Sequence, residues 1–378
     1  MKCEDVLLKL VRAALWNTPM KPIDVKSEAY YQLMEASGRQ AVTGLLCRTL
    51  MTNNYRLKKL DAVDLFAASE ELEKSNTNVD TALAELVRLL DTHKIPFVVF
   101  KGQTLATLYP SPHSRIPGDI DFYVDPDNFN KAAEVISKEW HVDIDTNHDD
   151  NDISSPRHIE FKYKGVLFEM HFRMLKFYSN RNQVFFNNIV DKCDRETVRV
   201  ADVDVPILPL APNIVYTFCH LYHHLQEQGV ALRQLCDLAL LIHHTSSMPE
   251  QRDSVRKEIG DILDGLNMRR AFVAVCSALV ESLGLPEEDL PFPVGDNERR
   301  FGRKMMEEVW KRGNWGVYDR QLHNVNPVKR ATETGTVQLS HYISFYRLSP
   351  RENRAMILKE IPMKFINIVK KLFKKNKL

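Results

Sequence analysis

The 378-residue chain predicts an α+β fold, a mixed-sheet core flanked by N-terminal and C-terminal helical regions. Three observations predict it. Apolar residues recur at three- and four-residue spacing up to about residue 92, with no proline between Pro22 and Pro96. Short β-branched or alternating runs occupy the stretch from about residue 94 to 205. Helical spacing returns after Pro206, Pro209 and Pro212. The length exceeds the usual single-domain range, so three regions are expected: 1–92, helical; 93–205, the core; 206–378, helical.

Taken in order, Val79, Leu83, Leu86 and Leu90 mark the last helix of the first region. Lys94 to Phe100, opened by a proline at its third position, reads as a buried strand, and Ile120 to Val124 as a second. Pro126 to Trp140 reads as a helix with Asp125 or Asp127 near its N-cap. Asp143 to Pro156, crowded with Asp, Asn and Ser, is a polar loop, and His158 to Met174 forms two strands around Lys164-Gly165. The final helical region is broken by a linker from Pro286 to Pro293.

The balance of 51 Lys+Arg against 50 Asp+Glu gives no global field for nucleic acid or membrane. Cys3, Cys47, Cys193, Cys219, Cys236 and Cys276 form no CxxC pair, which argues against a zinc ribbon or a disulfide framework and makes a reducing cytoplasm the simplest expectation. No signal peptide is apparent, and no apolar run is long enough to span a bilayer. At the C-terminus Ile361, Phe365, Ile368 and Leu372 alternate with Lys364, Lys370, Lys371 and Lys374. A docked helix with a lysine tail is the plainer reading; peripheral membrane contact is the alternative.

The chemistry concentrates in three short stretches. Asp119 and Asp121 are two apart, so on a strand their carboxylates share a face while Ile120, Phe122 and Val124 point into the core. Two like charges side by side need a cation, and a divalent metal is the natural one. Two unrelated aspartates at a solvated strand end are the bland alternative. From His158 to Arg173 polar and apolar residues alternate, and a two-residue turn at Lys164-Gly165 sets Tyr163 opposite Val166, Glu160 opposite Glu169 and His158 opposite His171. Asp119, Asp121 and Glu169 then make the carboxylate set that two magnesium ions require for metal-assisted phosphoryl chemistry, with Glu169 placed to help take a proton. Lys101-Gly102, where a strand turns into a helix, would let backbone amides and an ammonium approach a phosphate; taken alone it reads as a plain turn.

Other residues weigh less. Arg115, in a loop before Asp119, could clamp a triphosphate, against the alternative of a surface arginine. Glu160 and His171 are candidate substrate-lining groups, although a lone histidine is more often structural. His220, His223 and His224 at i, i+3 and i+4, with Asp237 on the next helix, could bind a transition metal as in helical phosphohydrolases, or could simply pack or line the cleft. Arg233 and Asp237 read as i, i+4 ion-pair partners.

Together these residues resemble the uncharacterised bacterial nucleotidyltransferases of the polymerase-β-like superfamily. The likeness lies in Phe97 to Gly102, Leu105, Tyr109-Pro110, Arg115, Gly118 to Val124, Val166 to Arg173 and Leu232 to Leu241. It implies a mixed sheet flanked by helices, a helical C-terminal part closing the cleft, and transfer of a nucleoside monophosphate from an NTP, expected to be ATP, with release of pyrophosphate. Asp119, Asp121 and Glu169 fall on the superfamily's metal carboxylates. The acceptor hydroxyl belongs to a small molecule, sugar, protein or RNA. One departure is that Lys101-Gly102 stands where the wider superfamily has Gly-Ser. Two further readings are a catalytically inactive nucleotide-binding scaffold and the helical-domain phosphohydrolase.

Overall fold

Periodic apolar stripes turn the first region into helices α1 (Cys3–Leu15), α2 (Ser27–Arg39), α3 (Thr43–Thr52) and α4 (Lys59–Thr92). The computed structural model describes residues 2–21, 25–53, 55–145, 158–314 and 327–362. The C-terminal half of α4 buries Val79, Leu83, Leu86, Val87 and Leu90 along one stripe. It stops where Lys94 takes φ +53° and the Ile95 N–H donates to Leu90 O at 3.0 Å. Lys94 to Phe97 therefore end the helix and lead in, and the expected strand shrinks to β1 (Val98–Phe100).

After the short helix α5 (Gly102–Ala106) come β2 (Ile120–Tyr123), α6 (Pro126–Trp140), β3 (His158–Tyr163) and β4 (Val166–His171). Asp125 is the N-cap of α6, accepting from the N–H groups of Asp127 and Asn128 at 3.0 and 3.1 Å. The sheet order is β1-β2-β4-β3, with β2 and β4 parallel and the outer pairs antiparallel, so it is mixed as expected. The hairpin register is the predicted one: Tyr163 opposes Val166, Glu160 opposes Glu169 and His158 opposes His171. Its turn carries positive φ at both Lys164 (+48°) and Gly165 (+78°), the twist that a two-residue connection needs. A second hairpin, β5 (Glu196–Val200) and β6 (Val203–Ile207), follows α7 (Asn180–Lys192) and lays β6 near β1.

The rest is helical: α8 (Leu210–Glu227), α9 (Leu232–His244), α10 (Arg252–Leu266), α11 (Arg269–Ala278), α12 (Asp296–Arg312), α13 (Pro327–Ser344) and α14 (Pro350–Ala355). The break between α11 and α12 contains the Pro286–Pro293 stretch. Two large hydrophobic cores and a small cluster of Tyr178, Tyr342 and Met356 result among the described residues. One face of the sheet packs Ile120, Phe122, Phe168 and Met170 against α4 and α6; a fully buried side chain of this size contributes about 1.5–3 kcal/mol. The other core joins α1–α3 to α8–α12 and reaches the sheet at Val98, Phe100 and Tyr123. Nearly every position of α8 is buried, which makes it the central helix of that unit.

Two contacts fix the loop leading into β2. Asn76, fully buried on α4, donates to His113 O and Arg115 O, each at 3.2 Å. Gly44 on α3 lies so close that a Cβ there would come within 2.3 Å of Ser114 O. All six cysteines are free. No described helix is long and apolar enough to cross a membrane. The basic segment from residue 363 to 378 and most of the polar loop, residues 146–157, lie outside the described residues.

Candidate active site

Strand alternation turns Ile120, Phe122 and Val124 into the core beneath the sheet and Asp121 to the opposite face. Because β2 and β4 are parallel neighbours, Asp121 pairs in register with Glu169. Asp119 sits just before β2. One carboxylate oxygen from each of Asp119, Asp121 and Glu169 lies within 4.8 Å of the others, so the three acids predicted to converge do so. They line a cleft of about 390 Å³ whose opposite wall includes His220 and His224 of α8 and Arg233 of α9. An all-oxygen trio of this kind suits a hard cation such as magnesium.

The cluster is internally compensated. Lys101 Nζ lies 3.0 Å from Asp121 Oδ1 and 3.1 Å from His220 Nε2. His171 Nε2 is 3.0 Å from the same Asp121 oxygen and 3.3 Å from Glu169 Oε2. Burial works to raise the pKa of Asp121, but the Lys101 ammonium and then His171 outweigh it and hold the carboxyl well below the usual range. Glu169 goes the other way: burial, reinforced by the charges of Asp121 and Asp119, raises its pKa against the hydrogen bond from His171. In His171 burial opposes protonation, yet the hydrogen bonds to Asp121 and Glu169 prevail and its pKa rises.

Lys101 reaches this position by an unusual backbone route. It has φ +62° and ψ −153°, a region that glycine occupies almost alone and that costs a residue with a Cβ about 1–3 kcal/mol. Gly102 follows at φ +51°. The helix that opens there, α5, has only five residues. In this chain the lysine thus occupies a backbone conformation suited to glycine.

Glu160 faces Glu169 across the hairpin, and His158 relieves the opposition, with Nε2 3.2 Å from Glu160 and 3.6 Å from Glu169. His158, Glu169 and His171 form a second convergent set, again within 4.8 Å. Its two imidazoles suit a borderline metal such as manganese or zinc better than magnesium.

Three expectations need correction. Arg115 is not a surface residue, and its guanidinium fork is already taken: Nε and Nη2 donate to the two oxygens of Asp237 at 2.8 and 2.9 Å, both partners being buried. It anchors the loop before Asp119 to α9 instead of presenting a free fork to a triphosphate. Asp237 is therefore the partner of Arg115 and of the Tyr109 hydroxyl (2.7 Å), not of Arg233. Nor do the histidines share one face. His220 and His224 do, with Nε2 atoms 3.0 Å apart in the cleft, but His223 turns away to pack against Phe177 and lies 3.9 Å from buried Glu352. At about 100° per residue, positions i+3 and i+4 fall on opposite flanks of position i. With Asp237 consumed by Arg115, these residues are not among the convergent metal-ligand groups of the described residues.

Sequence reasoning passed over two groups. Asn76 supports the loop from 37 and 39 residues away and carries no local signal. Arg233 was paired on spacing alone, whereas its Nη1 donates to Ile116 O at 3.0 Å.

Residues 27–277 match the model of a family described as an uncharacterised nucleotidyltransferase. No curated protein matches the chain. Among solved structures, the chain is similar to an antigenic nucleotidyltransferase-like protein from Paracoccidioides brasiliensis, at 13% identity and a TM-score of 0.32 over 56% of this chain and 94% of that one. The family match spans every residue of the acidic cluster and its cleft discussed above, and on that extent the chain belongs to this family of uncharacterised nucleotidyltransferases.

Proposed function

We propose that the protein transfers a nucleoside monophosphate from a nucleoside triphosphate, ATP being the expected donor, to a hydroxyl of an acceptor that is a small molecule, sugar, protein or RNA. The observation that carries this reading is the convergence of Asp119, Asp121 and Glu169 on one wall of an open cleft. The donor set fits magnesium: three carboxylates, offering oxygens from two adjacent strands and the loop before one of them. Magnesium, when bound, would neutralise charge on the triphosphate and on the attacking oxygen.

The chain's own residues supply the rest. Asp119 and Asp121 would hold both ions, and Glu169 would complete the set on the acceptor side. The acceptor oxygen forms a bond to the α-phosphorus, the bond from that phosphorus to the bridging oxygen breaks, and pyrophosphate leaves. Glu169, whose pKa is raised, is suited to receive the hydroxyl proton. His171, on the same face of the sheet, orients both carboxylates. Lys101, hydrogen-bonded to Asp121 and His220, stands at the mouth of the turn where a phosphate would approach.

A second reading has one observation in its favour. Lys101 occupies an oxygen of Asp121, as it would in a scaffold that binds nucleotide without turning it over. Incubation with α-labelled triphosphates, Mg²⁺ and pools of acceptors separates the two. Transfer of label with pyrophosphate release, lost in the Asp119→Asn/Asp121→Asn double variant, supports the enzyme. Triphosphate binding without turnover across acceptors supports the scaffold, and turnover that persists in the double variant refutes the site assignment.

A further inference from the structure

We propose that Arg233 is the residue that grips the terminal phosphates of the triphosphate, an anion subsite on the helical wall facing the acidic cluster; this rests on the nucleotidyl-transfer reading above. The argument begins with charge. Lys101 is matched by Asp121 and Arg115 by Asp237. Arg233 lines the same cleft, yet no carboxylate among the described residues lies within ion-pair distance of it, and its Nε is buried with no hydrogen-bond partner. Asp237, one turn further along the same helix, has both oxygens occupied by Arg115 and one also by Tyr109.

Arg233 is partly buried in the wall of this open cleft, and a charge drawn even partly out of water favours an anionic neighbour. Burial and the neighbouring Arg115 push its pKa down, outweighing the opposite pull of Asp237, Tyr109 and Asp119. The side chain is nevertheless held in place. Nη1 donates to Ile116 O at 3.0 Å and to Pro117 O at 3.5 Å, which leaves the rest of the fork uncommitted by any hydrogen bond among the described residues. A fixed, planar, multi-donor cation beside a cleft fits the oxygens of a phosphate chain.

Its position selects which phosphates. Arg233 is tied to the two carbonyls just upstream of Gly118-Asp119, so a phosphate on its fork lies beside the cation cluster. A triphosphate whose α-phosphate meets the carboxylates would extend its tail to this arginine. The lysine found at the Lys101-Gly102 turn is committed to Asp121, whereas Arg233, among the cations lining the cleft, is the one fixed beside Gly118-Asp119 with donors to spare for the tail.

The test is calorimetric titration of inorganic tripolyphosphate, of a nonhydrolysable nucleoside triphosphate and of a nucleoside monophosphate, each with Mg²⁺, into wild type, Arg233→Lys and Arg233→Met. Thermal melts are run alongside to verify folding. The proposal expects both triphosphates to weaken at least ten-fold in Arg233→Met and by less in Arg233→Lys, with monophosphate affinity unchanged and the melt of Arg233→Met at or above wild type. Equal tripolyphosphate affinity in wild type and a folded Arg233→Met would overturn it while leaving the nucleotidyl-transfer reading intact. Equal weakening of the monophosphate would also overturn it, by assigning Arg233 to the nucleoside or to an acceptor anion. A wild type that binds neither triphosphate would sink both proposals together.

Discussion

The Lys101 ammonium lies 3.0 Å from the Asp121 carboxylate, carried there by a backbone with φ +62° and ψ −153°. The chain thus accepts strain in order to place a cation against a metal-type carboxylate. Lys101→Gly and Lys101→Ala both delete the ion pair, so the difference between them isolates the backbone. Lys101→Gly should be more stable than Lys101→Ala by about 1–2 kcal/mol, after allowing for the extra freedom of glycine in the unfolded chain. Urea midpoints measured side by side check this; equal midpoints would remove the strain argument.

Arg115 and Asp237 tie the loop before Asp119 to α9 through two buried hydrogen bonds. Arg115→Met strands a carboxylate and Asp237→Leu strands a guanidinium, so each should cost about 3–5 kcal/mol. The double variant should lose much less than the sum, because neither charge is then left alone. Thermal denaturation of the three variants reads this directly. Additive losses would mean that the pair is not coupled.

Glu352 on α14 is almost fully buried and accepts from the backbone N–H of Tyr178, from that of Ser179 at 3.3 Å and from Asn182 Nδ2 at 2.9 Å. His223 lies 3.9 Å from it, and Tyr222 and Glu227 are near enough to interact with its charge. Burial pushes its carboxyl from 4.5 up to about 7, against those hydrogen bonds. A raised folded-state pKa means that the folded protein holds the proton more tightly. The associated stability is fully present below about pH 4.5 and is lost as pH rises through about 7. The loss amounts to roughly 2–4 kcal/mol. Melting temperature should therefore fall from pH 5 to pH 8, and the slope should flatten in Glu352→Gln; identical slopes would contradict the assignment.

Local pattern made the strand register legible. Lys164-Gly165 is a turn that fixes every opposite pair of its hairpin, and alternation alone assigns Glu169 and His171 to the polar face. The α6 cap, narrowed by sequence to Asp125 or Asp127, and the end of α4 near residue 92 are readable for the same reason, since caps and periodicity are properties of neighbours in sequence. What escaped depends on distant residues. The pairing of Arg115 with Asp237 spans 122 positions, and nothing local distinguishes it from the i, i+4 pairing of Arg233 with Asp237. The β5–β6 hairpin was obscured by Pro206, which sits within β6 itself. Lys101 gave no hint of its positive φ, because the lysine is a poor residue for that conformation.

The central claim is that Asp119, Asp121 and Glu169 act as one divalent-cation cluster for a nucleoside triphosphate. Crystals grown with Mn²⁺ and a nonhydrolysable triphosphate, measured at the manganese absorption edge, address it most directly. The account predicts anomalous peaks at about 2.0–2.3 Å from oxygens of all three carboxylates, with the phosphates on the same ions. Manganese confined to His158 and His171, or triphosphate bound away from Asp119 and Asp121, would contradict it.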